Sequence, residues 1–148
     1  MNEQEGLARA QAYCSVAEHC KADVRAMLER KNLEPDAIER ILKRLEEDGF
    51  IDEGRYARAF VHDKVRFDRW GRIKIAQALA VKRIPRDIVS DALLSIDEDE
   101  YMAALRDVVN ARLGTVKGAT DYEIRMKTMK SVAARGYEPS LIGKMLDL

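Results

Sequence analysis

Ten basic side chains crowd into one stretch of this sequence, and their chemistry is electrostatic recognition rather than bond making. Between positions 55 and 86 stand Arg55, Arg58, Lys64, Arg66, Arg69, Arg72, Lys74, Lys82, Arg83 and Arg86, opposed only by Asp63 and Asp68. Ten against two is a local excess of eight positive charges, hidden in a formal net charge of zero because residues 1–54 and 87–100 are acidic. A concentrated field of one sign steers association with nucleic-acid phosphates or an acidic protein surface. The candidate partner contacts are Arg55, Arg58, Arg66, Arg69, Arg72, Lys74, Lys82, Arg83 and Arg86. Charge reversal at Arg69, Arg72 and Lys74 is expected to weaken partner binding without changing helical content. Trp70, the only tryptophan, sits between Arg69 and Arg72. It is a candidate aromatic anchor or base-stacking platform, and the competing reading is a ring packed across a helix junction.

Bond-making chemistry is hard to find. Cys14, His19 and Cys20 fit no common zinc spacing and lack a fourth ligand. Six residues apart on one helical stretch, the two cysteines project in different directions, so they read as free thiols. His62 and Asp63 are neighbours, and adjacent helical residues do not face each other. No glycine-rich phosphate loop is present. No catalytic residue, metal or cofactor is therefore expected, and an enzyme is not the expected class.

These side chains must be carried by helices. Charged residues make up 35% of the chain and aromatics only 6%, while Gly and Pro fall at boundaries, a composition of strong helix formers. One phrase recurs as punctuation: Lys31-Asn32-Leu33-Glu34-Pro35, then Lys82-Arg83-Ile84-Pro85, then Arg135-Gly136-Tyr137-Glu138-Pro139. Each copy ends one helical pattern and sets a proline where the next begins, the position that tolerates a missing N–H. From Lys31 to Lys82 is 51 residues and from Lys82 to Arg135 is 53. A period near fifty marks a repeated supersecondary unit. Apolar residues at helical spacing divide the chain into three-helix units at residues 1–50, 51–96 and 97–148. Asp52 is expected to cap a helix whose apolar face includes Tyr56, Phe60 and Phe67, Gly49 to close the helix before it, and Thr120 to open a capping box with Glu123. No window approaches the roughly 20 apolar residues of a membrane span. The N-terminus lacks the regions of a secretory signal, so a cytoplasmic protein is expected.

The chain resembles the RecX regulators of the RecA recombinase. The resemblance rests on Lys31-Asn32-Leu33, Leu45-Glu46-Glu47-Asp48-Gly49-Phe50-Ile51-Asp52, Arg55-Tyr56-Ala57-Arg58-Ala59-Phe60-Val61, Gly71-Arg72-Ile73-Lys74-Ile75 and Lys82-Arg83-Ile84, with a weaker match through Arg135-Gly136-Tyr137. It implies an all-α fold of three tandem three-helix repeats in an elongated, curved array. It also implies a non-enzymatic, monomeric regulator that binds RecA filaments on single-stranded DNA and restrains strand exchange and ATP hydrolysis, in DNA repair and the SOS response. The alternative is an autonomous DNA-binding protein that uses Gly71 to Arg86 like a helix-turn-helix on single-stranded or duplex DNA. Three positions depart from the family pattern. Cys20 stands where a serine is usual before the second helix, and Asn32 and Arg83 stand where glycine usually follows lysine. Two junctions must then turn without glycine, which asparagine tolerates better than arginine.

Overall fold

The computed structural model describes residues 1–148 and contains nine α-helices in three successive triplets. The first triplet is α1 (Glu3–Val16), α2 (Lys21–Arg30) and α3 (Pro35–Glu47); the second is α4 (Glu53–Asp63), α5 (Arg72–Val81) and α6 (Arg86–Leu94). The third is α7 (Glu98–Leu113), α8 (Asp121–Ala133) and α9 (Pro139–Leu146). A π-helical turn, Lys64–Asp68, prolongs α4. The all-α, three-helix-repeat expectation holds.

Local chemistry starts and stops these helices. Asp52 accepts the Arg55 N–H at 2.9 Å, Asp97 accepts that of Glu100 at 3.0 Å, and Thr120 accepts that of Glu123 at 3.1 Å. Glu123 reaches back to the Ala119 N–H at 3.1 Å, one residue earlier than a capping box requires. Cys20 occupies the N-cap of α2 but makes no side-chain cap bond. In its place Glu53, from the start of α4, accepts the Lys21 N–H at 3.0 Å. Gly49 follows α3 with φ +80, and the Phe50 N–H donates to the Leu45 carbonyl, closing the helix with the Schellman pattern.

The recurring phrase proves to be a conformational repeat. Asn32, Arg83 and Gly136 hold φ of 60, 60 and 96, so all three copies turn through the left-handed region at the same position. In the first two, the Leu33 and Ile84 amides donate to Leu28 and Leu79, and the apolar residue after the turn is buried in every copy. Pro35 and Pro139 begin their helices, whereas Pro85 sits at the N-cap of α6, one step earlier, because its junction is one residue shorter.

Phe67 is a correction. Seven residues beyond Phe60, it would share the buried face of a continuous α-helix, yet it is 73% exposed. The π turn widens the winding and rotates the later positions, so Val65 takes the inward place instead.

Buried side chains form two cores. One belongs to the first triplet and joins Ala10, Val24, Leu28, Ile38, Ile41, Leu45 and Ile51. The other is shared by the second and third triplets and includes Tyr56, Val61, Ile75, Leu79, Tyr101, Leu105, Val132, Tyr137 and Ile142. Cys20 inserts into this second core, tying α2 to α4. The chain exposes 8942 Å², against about 7,700 Å² for a compact monomer of its mass, as an extended array should.

Candidate functional site

The basic segment lies between two acidic stretches, residues 1–54 and 87–100, and the chain folds carboxylates from both sides onto it. Arg55 donates to Glu18 and, at 3.0 Å, to the Gly49 carbonyl. Lys82 meets Asp23 of α2 at 2.5 Å. From the other side Arg66 meets Glu100 at 3.1 Å, Arg69 meets Asp107 at 3.5 Å, and Arg72 meets both Glu98 and Glu138, the latter at 2.7 Å. Five of the nine candidate contacts therefore have carboxylate partners within the chain. Positive and negative blocks that are separate in sequence interlock in space.

Arg72 is the centre of the tightest of these clasps. Its guanidinium lies 3.8 Å from the centroid of the Tyr101 ring, and its amide donates to the Tyr101 hydroxyl at 3.0 Å. That hydroxyl donates in turn to Glu138. Burial, helped by the Glu138 carboxylate, pushes the Tyr101 phenol well above its ordinary range. The Tyr137 phenol, stacked obliquely on Tyr101 at 5.4 Å, is pushed up by burial to about 12 and donates to the Arg69 carbonyl at 3.0 Å. Arg135 also donates to the Asp68 and Arg69 carbonyls. The third copy of the junction phrase thus caps the open end of the π turn.

The backbones cross at the same place. The Gly71 amide donates to the Arg135 carbonyl at 2.9 Å and the Ile73 amide to the Gly136 carbonyl at 3.0 Å. A Cβ on Gly71 would stand 2.2 Å from backbone atoms of Gly136 and Tyr137, and one on Gly136 would stand 2.3 Å from the Lys74 Cβ. Only glycine fits at either strand of this crossing. Trp70 packs beside it, half-buried against the shared core, with the Lys64 and Lys74 ammonium groups 4.5 and 4.3 Å from its ring centroid. Its position matches the junction-packing reading.

On the first triplet's side, Asp23 gathers Lys82 and His19, whose Nδ1 lies 3.5 Å away and whose ring stacks on Tyr13 at 3.6 Å. Burial works to raise the Asp23 carboxyl, but the hydrogen bond and charge of Lys82 overcome it and hold it below the usual range. Cys14 and Cys20 are free thiols, both pushed up by burial. His62 is exposed, 3.3 Å from the Ser95 hydroxyl.

With those pairs made, the cations left to the exterior are Arg58, Arg83 and Arg86, all exposed. Lys74 is engaged by Trp70 rather than by a carboxylate. The carboxylates Glu18, Asp23, Glu98 and Glu138 and the phenol of Tyr101 are absent from the sequence-based set, and their spacing from their partners, 37 residues for Glu18 and 66 for Glu138, leaves no local signal. Charge reversal at Arg72 would set three carboxylates together, so the expected harmless triple reversal is replaced by one that loosens the fold.

Residues 52–93 match the model of the second three-helix domain of RecX. The chain is 27% identical over 144 residues to the regulatory protein RecX of Prosthecochloris aestuarii, covering 97% of itself and 93% of that protein. The RecX of Xanthomonas axonopodis pv. citri is 29% identical, with coverage of 95% and 85%. The chain is thus similar to the RecX regulatory proteins along nearly its whole length. A third family relative, from Lactobacillus johnsonii, is 25% identical over 98% of this chain but only 54% of its own length, so the chain spans from about half to nearly all of the relatives it matches. The crystal structure of RecX from Lactobacillus salivarius superposes with a TM-score of 0.86 at 19% identity, covering 98% of this chain and 94% of that one. A second RecX crystal structure gives 0.89 at 20% identity, covering 98% and 72%. The fold is that of RecX, and the family's members are named as regulatory proteins. No helix is long and apolar enough to cross a membrane.

Proposed function

We propose that this chain regulates homologous recombination by binding RecA filaments on single-stranded DNA and restraining ATP hydrolysis and strand exchange, in DNA repair and the SOS response. The regulatory role comes from the family. Support for the filament reading comes from the shape and charge of the molecule: an extended helical array whose middle unit keeps Arg58, Arg83 and Arg86 outward while its other cations are paired with carboxylates or, for Lys74, held against Trp70. The units at 1–50, 51–96 and 97–148 act as consecutive docking modules, and the protein works without catalysis, as a cytoplasmic monomer.

Autonomous DNA binding has less support. A phosphate-binding surface needs many free cations, and the acidic flanks remove most of them here. Co-sedimentation with RecA on single-stranded DNA, against the same DNA alone, tests the choice. Recovery only with the filament supports the proposal. Equal recovery on bare DNA, falling steeply with salt, overturns it in favour of the alternative.

A further inference from the structure

The second triplet leaves an apolar groove uncovered. In α5, Ile75 and Leu79 are buried in the shared core, while Ala80, exposed, and Ile73 and Val81, 43% and 80% exposed, face outward. A helix of ten residues carrying only Arg72 and Lys74 as charges has an apolar side to spare. Between α5 and α6 runs a groove of about 390 Å³, floored by Ala76, Ala80, Ile84, Val89 and Leu93 and edged by Arg86. It continues along α6 toward Leu94, which is 83% exposed.

The groove and the free cations meet at one place. Arg86 lines the groove at the start of α6, and Arg83 lies three residues before it in the α5–α6 turn, next to the groove residue Ile84, so two of the three outward arginines of the middle unit belong to the turn that joins the groove's two walls. Arg83 is moreover held at φ +60, a conformation costly to a residue with a Cβ.

We propose that the α5–α6 groove docks an amphipathic α-helix of a partner protein, its apolar side on the groove and its carboxylates on Arg83 and Arg86. A helix fits because the walls are themselves helices whose side-chain ridges accept another set. A nucleic acid is disfavoured, because the aliphatic floor offers no ring for stacking, Gln77, Arg86 and Ser90 are the polar side chains along it, and Asp87 and Asp91 are exposed on α6. A second copy is disfavoured, since the apolar stripes of α2, α3 and α7 are buried in their own cores. The proposal goes beyond the filament reading and does not depend on it.

The test titrates the isotope-labelled full chain with a synthetic amphipathic peptide of leucine, alanine and glutamate, and with the same peptide carrying lysine for glutamate. The expected result is saturable shifts of the Ala76, Ala80, Val81, Val89 and Leu93 amides by the acidic peptide, with the lysine version about tenfold weaker. The variant A80D/V81D, altered at exposed positions, should melt like the parent and bind about tenfold more weakly. Equal affinity for both peptides, shifts centred elsewhere, or displacement of the same amides by oligothymidine would overturn the proposal. So would self-association of the free chain that A80D/V81D abolishes. Because RecA is absent from the titration, its failure and that of the filament reading are separate results.

Discussion

Gly71→Ala isolates the contact that joins the second and third triplets. Gly71 has φ −84, which alanine adopts freely, so any effect is steric rather than conformational. The added Cβ would lie 2.2 Å from the Gly136 carbonyl carbon and the Tyr137 nitrogen. Restoring ordinary contact requires a separation of about 1 Å between two backbones. That displacement breaks the hydrogen bonds from Gly71 and Ile73, now 2.9 and 3.0 Å, in a place where water replaces them poorly. Two lost bonds with partly buried donors cost about 3 kcal/mol or more, offset by about 0.5 kcal/mol from the stiffer unfolded chain. The net of about 2.5 kcal/mol should lower the melting temperature of a chain of this size by about 5–10 °C. Gly49→Ala is the comparison: its φ is +80 but nothing lies within 4 Å of the new Cβ, so only the left-handed penalty of about 1 kcal/mol applies. Thermal unfolding followed by circular dichroism, with amide exchange at Leu79 and Val132, reads both. A Gly71→Ala protein that melts within about 2 °C of the parent, or above Gly49→Ala, refutes the reasoning.

Three further outcomes follow from the same structure. Arg83→Gly relieves the left-handed arginine and should raise stability by about 0.5–1 kcal/mol in chemical denaturation, once the added freedom of the unfolded chain is counted, while weakening regulation of RecA. Asp23→Asn should cost about 1 kcal/mol near neutral pH, discounted because Lys82 is 41% exposed. Since the folded Asp23 carboxyl is lowered and the folded Lys82 ammonium raised, the difference from the parent should persist across neutral pH, fading as pH falls below about 4 and as it rises past about 10.5, as pH-dependent unfolding would detect. The triple variant R58E/R83E/R86E should keep its helical content and lose most filament affinity, whereas retained affinity in co-sedimentation would show that the exposed arginines are not the contact.

What could be read without coordinates was local. The caps at Asp52 and Thr120, the glycine stop at Gly49 and the left-handed turns at Asn32 and Arg83 each depend on a few consecutive residues. The need for glycine at position 71 was not legible, because its cause, the backbone of Gly136, lies 65 positions on. The π turn packs against α7 and its end is held by Arg135 and Tyr137, contacts remote in sequence, so the period that set Phe67 inward had no means of sensing the change of winding. Charge clustering was visible and its neutralisation was not, because Arg72 finds Glu138 and Lys82 finds Asp23 only after folding. The candidate set of nine cations thereby resolves into a structural group and a short outward group.

The most direct measurement is RecA-dependent ATP hydrolysis and strand exchange on single-stranded DNA, with this protein added up to stoichiometric amounts. The account predicts that both rates fall with added protein, and that R58E/R83E/R86E restores them. Unchanged rates at stoichiometric protein would contradict it.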